Sequence, residues 1–77
     1  MTAVSYQIAR EYVGPWYVST AFIVVLGEFE TMVMRDLNEV WVRRTPDETE
    51  ALANHQLGCQ FALGLTQQQS NKGGEHK

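Results

Sequence analysis

His55 and Cys59 stand four residues apart, close enough to touch on one face of a helix. A Cys–His pair is the kernel of a base-activated thiol nucleophile. It is also half of a zinc site, which takes three or four protein ligands. Neither chemistry is complete with two residues, because a catalytic base needs a third group to orient it. No third residue is apparent along the chain. His55 therefore reads as a packed, hydrogen-bonded core histidine, and Cys59 as a buried structural thiol. Glu48 lies two helical turns before His55, too far for a direct pair. The acids Asp47, Glu48 and Glu50 cluster as acid–base pairs can, but a helix start accounts for them. Gly73-Gly74 lies in a polar C-terminal stretch, so no phosphate-binding loop is present. The expectation is a non-enzyme, with no catalytic residue, no cofactor and no metal.

The elements that position these residues are readable from pattern. Val4, Tyr6 and Ile8 alternate with polar or small residues, the period of a strand. Gly14-Pro15 marks a turn. Trp16 to Leu26 is rich in aromatic and β-branched residues and predicts a second strand. Gly27-Glu28 predicts a tight two-residue hairpin. Phe29 to Arg35 predicts a third strand, Asp36 to Glu39 a loop, and Val40 to Arg44 a fourth strand. Thr45-Pro46-Asp47-Glu48 then reads as a capping box with proline at the first helical position. The helix is expected from Pro46 to about Leu65, with Ala51, Leu52, His55, Cys59, Ala62 and Leu63 as its buried stripe. Gly58 within that stripe predicts a close approach of helix to sheet. The fold class is α+β: a four-stranded antiparallel meander with one C-terminal helix packed on one face. Residues 1–66 make this one ββββα domain, and 67–77 are expected as a disordered polar tail.

Two surfaces suggest partner binding. Leu57, Phe61 and Leu65 recur every fourth residue on the helix, away from the centre of the first stripe, with Ala53 extending them. Either these residues widen a single apolar face, with Leu65 near a frayed end, or the helix is apolar on two faces and is buried twice or binds something. The uncovered face of the sheet is the second surface, carrying Tyr17, Trp41 or the Met32/Met34 pair according to register. Meander order also places Glu28 and Glu30 beside Arg43 and Arg44 as cross-strand ion pairs. It leaves Arg10 and Arg35 at the opposite sheet end, either as solvated or paired side chains or as a small anion-contacting patch.

Composition narrows the partners. A chain of 77 residues with net charge −3 has the wrong sign for non-specific nucleic-acid binding. The longest apolar run, Ala21 to Leu26, is far shorter than the roughly 20 residues of a membrane span. A single cysteine forms no intrachain disulfide and fits a reducing compartment. A core of this size is marginal, which leaves a partner subunit, such as a homodimer, as the route to extra burial.

Several segments together resemble a group of small bacteriophage and prophage proteins, mainly of actinobacteria. They are Ile8-Ala9-Arg10, Val18-Ser19-Thr20-Ala21-Phe22, Phe29-Glu30-Thr31-Met32-Val33, Trp41-Val42-Arg43-Arg44-Thr45 and Glu50-Ala51-Leu52-Ala53-Asn54-His55. That group has a longer insertion between the second and third strands, and a glycine where this chain has Asn54. The resemblance implies a phage or prophage origin and a cytoplasmic location in the bacterial host cell. It also implies a host-directed binder, an anti-CRISPR-type inhibitor of a host defence protein by steric occlusion. The alternative is a phage structural or assembly protein forming homo-oligomers.

Overall fold

The computed structural model describes residues 4–75, with side chains through residue 68. Four strands run in order: β1 (Ser5–Val13), β2 (Trp16–Ile23), β3 (Glu28–Arg35) and β4 (Asn38–Thr45). They form one antiparallel meander, and a single helix, α1 (Glu48–Glu75), follows and packs across one face. The α+β architecture expected from the sequence is the one observed.

Each turn is set by a residue that tolerates positive φ. Gly14, at φ 59°, opens the two-residue turn to Pro15. The β2–β3 connection is not the Gly27-Glu28 pair that the dipeptide suggests. It spans Val24–Gly27, closed by a Gly27 N–H bond of 2.9 Å to the Ile23 carbonyl, with Gly27 at φ 66°. The strand ends at Ile23, because a turn closed five residues wide uses Val24, Val25 and Leu26 and leaves them exposed. The last hairpin turn is Asp36-Leu37, shorter than the four-residue loop expected, since Asp36 itself takes φ 58° and lets Arg35 pair with Asn38.

Two register shifts decide which side chains face the helix. On β1, Gln7 pairs with Ala21 but Ala9 pairs with Thr20, so Ile8 is an extra, bulged residue. On β4, Trp41 pairs with Val33 but Glu39 with Met34, so Val40 is extra. Beyond each bulge the strand presents the opposite set of side chains. The helix-side row is therefore Glu11, Val18, Val33 and Trp41, and the next is Ala9, Thr20, Thr31 and Arg43. The uncovered side carries Tyr12, Tyr17 and Met34 in one row, and Arg10, Ser19, Met32 and Val42 in the next.

The helix begins two residues later than the capping box Thr45/Glu48 would place it. Asp47 is the cap: its Oδ2 accepts the Glu50 N–H at 2.8 Å. Thr45 closes β4 instead, accepting the Asp47 N–H at 3.1 Å and donating its hydroxyl to Glu50 Oε1 at 2.6 Å. Pro46 thus precedes the cap. The helix also continues past Leu65 to Glu75, through the stretch expected as a disordered tail. No proline follows Pro46 to stop it. Residues 76–77 of the expected tail lie outside the described residues.

The buried helix face is Ala51, Asn54, His55, Gly58 and Ala62. Leu52 and Leu63, expected inside, are exposed on a flank. The reason is Gly58. A Cβ there would lie 3.2 Å from Trp41 Cζ3 and Val18 Cγ1 and 3.3 Å from Val33 Cγ2. The helix seats its smallest residues against the sheet, and the leucines turn outward. The core is correspondingly small: Trp16, Val18, Val33 and Ala62 form its buried cluster, with Val13, Trp41, Cys59 and Leu65 packed against it. Toward the helix start the interface becomes polar, with Thr20, Thr31, Thr45, Asn54 and His55 all buried.

Candidate functional site

That polar layer is a connected chain of side chains. Thr31 Oγ1 and Thr20 Oγ1 are 2.8 Å apart, and Thr20 Oγ1 lies 2.8 Å from His55 Nδ1. Thr20 and Thr31 are fully buried. The other ring nitrogen, His55 Nε2, lies 3.0 Å from Glu11 Oε1, and the Cys59 thiol donates to the same oxygen at 3.0 Å. His55 and Cys59 do meet on one helix face, as their spacing suggests. The third residue that the sequence did not disclose is Glu11, from an edge strand 44 residues away from His55.

The bulge at Ile8 is what places Glu11 there. An unbroken alternation from Tyr6, which pairs with Phe22 on the helix side, would place Arg10 and Tyr12 beneath the helix and Glu11 on the far face. The extra residue reverses this and brings the carboxylate under His55. The imidazole is gripped at both nitrogens, so its ring plane is fixed.

The electrostatics argue against a thiol nucleophile. Burial first, then the bond to Glu11 and its negative charge, push the Cys59 thiol up from 9.0 to about 11. A nucleophilic cysteine needs the opposite shift. Glu11 is held below 4.5 by its bonds from Cys59 and then His55, with burial opposing them. The signs differ in consequence. Glu11 contributes stability above its unfolded value, and this is lost as pH falls through its lower folded value. Cys59 contributes stability below pH 9.0, and this is lost as pH rises toward about 11. At pH 8 the native thiol is expected to react with iodoacetamide about 100-fold more slowly than in urea-unfolded chain, as the thiolate fraction falls tenfold per pKa unit. Equal rates would contradict the raised thiol that burial and the Glu11 contact together produce.

The donors here are one carboxylate oxygen, one imidazole nitrogen and one sulfur, and all three lie within 4.8 Å of one another. Such a trio can hold a divalent metal.

The residues expected to bind a partner are not brought together as one surface. Leu57 and Phe61 are exposed on the helix flank above β4, where Phe61 stacks on Trp41 with ring centroids 6.0 Å apart. Leu65 leaves that stripe and packs against the core, because it lies closer to the Gly58–Ala62 line. Trp41 faces the helix, while Tyr17, Met32 and Met34 lie on the open sheet face. Arg10 and Arg35 do not form a patch. Arg10 pairs with Ser19 on the open-face row, whereas Arg35 lies over the Trp16 ring on the helix side, 5.6 Å from its centroid. Of the Glu–Arg pairs expected, Glu30–Arg44 forms at 2.8 Å, while Arg43 sits over Trp41.

Fold and site thus define an α+β meander-and-helix protein with a histidine-centred polar cluster between helix and sheet. Comparison with protein-family models, with curated proteins and with solved structures finds no match. Among the described residues, no helix is long and apolar enough to cross a membrane.

Proposed function

We propose that this chain is a small non-catalytic binding protein that acts by covering a surface of another protein. The partner is a bacterial host protein, and the concrete form is a phage- or prophage-encoded, anti-CRISPR-type inhibitor working by steric occlusion. The observation that carries the reading is the flank formed by Leu57, Phe61 and Trp41. Leu57 is 45% exposed and Phe61 36% exposed, and Arg43 lies over the Trp41 ring. Tryptophan and arginine are over-represented among residues that dominate binding energy. Phage origin is supported by the segment resemblance between Ile8 and His55. The acidic charge of −3 disfavours direct nucleic-acid contact and suits a basic protein surface.

The test is affinity capture from host lysate followed by binding of the purified partner to wild-type chain and to Phe61→Asp. Truncating a central anchor costs about 2 kcal/mol or more, so Phe61→Asp is expected to weaken binding at least about 30-fold while circular dichroism stays unchanged. Undiminished binding by the folded variant would overturn this surface.

A second reading, a phage structural or assembly protein built of homo-oligomers, is favoured by one observation. The open sheet face exposes Tyr12 and Val42, and the edge strand β1 exposes Tyr6 and Ile8. Unpaired edges and apolar faces are where copies of a chain associate. Mass that rises with concentration, unaffected by Phe61→Asp, would favour it.

A further inference from the structure

We propose that Glu11, His55 and Cys59 form a binding site for a single zinc-class divalent metal ion, with its fourth coordination position open to solvent. This inference is independent of the binding role above and rests on different residues.

Three observations converge. The first is donor chemistry. One oxygen, one nitrogen and one sulfur suit zinc or cobalt(II), whereas calcium and magnesium take oxygen ligands alone. The second is spacing. With bonds of about 2.0 Å to nitrogen and oxygen and 2.3 Å to sulfur, tetrahedral ligand atoms stand roughly 3.3–3.6 Å apart. The Glu11 oxygen already lies 3.0 Å from both His55 Nε2 and Cys59 Sγ, so these two contacts need to open by only a few tenths of an ångström. No pair in the trio exceeds 4.8 Å.

The third observation is what lies behind the histidine. Metal-ligating imidazoles give their second nitrogen to a hydrogen-bond partner that fixes the ring. Here Nδ1 is engaged by Thr20, and Thr20 by Thr31, both fully buried. Two buried hydroxyls are thus committed to aiming Nε2 at the Glu11–Cys59 gap. Cys59 and His55 share α1, while Glu11 comes from the edge strand β1. A bound ion therefore ties that edge strand to the helix. The Glu11 side chain is 59% exposed, so an ion has a path in and keeps one position for water or for a ligand atom from a partner. On binding, the thiol proton leaves to solvent and the thiolate takes its place on the ion, while the proton that Nε2 shares with Glu11 is replaced by one on Nδ1, which Thr20 Oγ1 accepts.

The test uses the full chain, stripped of metal with a chelator and titrated with cobalt(II) alone. Wild-type chain is expected to bind one equivalent, with thiolate-to-cobalt charge-transfer absorption and the intense visible bands of tetrahedral cobalt. Zinc is expected to bleach these bands. Cys59→Ser should lose the charge-transfer band. Glu11→Gln, at an exposed position, should stay folded and bind at least tenfold more weakly. His76→Ala should bind as wild type. Absence of these bands in folded wild-type chain at millimolar cobalt would overturn the site. So would bands that persist at full strength in both Glu11→Gln and Cys59→Ser, or that vanish in His76→Ala.

Discussion

Replacing Gly58 by leucine is expected to remove most of the stability of this fold. The position is where α1 touches the sheet most closely, and a first added carbon already meets Trp41, Val18 and Val33 at 3.2–3.3 Å. These three side chains come from β4, β2 and β3, so no single strand can yield to make room. Overpacking a tight core costs about 1–3 kcal/mol and at times more, and leucine adds three further carbons beyond Cβ. Native domains hold only about 5–15 kcal/mol in total, and a core of so few buried apolar side chains belongs at the lower end. The urea midpoint, followed by tryptophan fluorescence, should fall by more than half. Gly58→Ala should fall within about 1 kcal/mol of wild type, because helix propensity gains about 1 kcal/mol and offsets crowding by one methyl. An unchanged midpoint for leucine would mean that the helix does not sit this close.

The second large effect is expected at Thr20, where valine keeps the shape and removes the hydroxyl. That hydroxyl meets both His55 Nδ1 and Thr31 Oγ1 in a fully buried position. Its loss leaves two buried polar atoms unpaired, each costing about 1–3 kcal/mol. Thr20→Val is therefore expected to destabilise by about 2–6 kcal/mol, measured by urea unfolding. Thr31→Val alone should cost less, since the Thr31 hydroxyl meets only Thr20 among the described side chains. In the Thr20→Val background, Thr31→Val should cost nothing or recover some stability. That non-additivity is the signature of a linked pair. Strict additivity would contradict the chain of hydroxyls leading to His55.

Much of the fold is legible in the sequence because local chemistry agrees with it. Gly14-Pro15, Gly27 and the alternating strands point to the meander, and Thr45 to Glu50 mark the helix start to within two residues. The site is half legible. His55 and Cys59 follow from helical spacing, but Glu11 depends on one bulged residue, Ile8, which reverses the facing of the rest of β1. Nothing in Ser5–Val13 announces that bulge, since Ile8 fits an unbroken alternation equally well. Periodicity misplaces the helix face for a related reason. Leu52 and Leu63 carry more apolar area than Ala51 and Ala62, so periodicity favours burying them. Close packing at Gly58 selects the small residues instead. The Arg10–Arg35 patch fails on the same point, as one arginine lies beyond the bulge and on the other side of the sheet.

The binding role turns on whether a protein partner covers the flank of Leu57, Phe61 and Trp41. The most direct measurement is a nitrogen-15 NMR titration of the labelled chain with the captured, purified partner, reading the two indole N–H signals. Trp41 lies under Phe61 at the flank, whereas Trp16 is buried in the core beneath Arg35. Binding should shift or broaden the Trp41 indole and the amides of Leu57 and Phe61, and leave the Trp16 indole in place. Changes confined to Tyr12, Tyr17 and Met34 on the open sheet face, with the Trp41 indole unmoved, would contradict it.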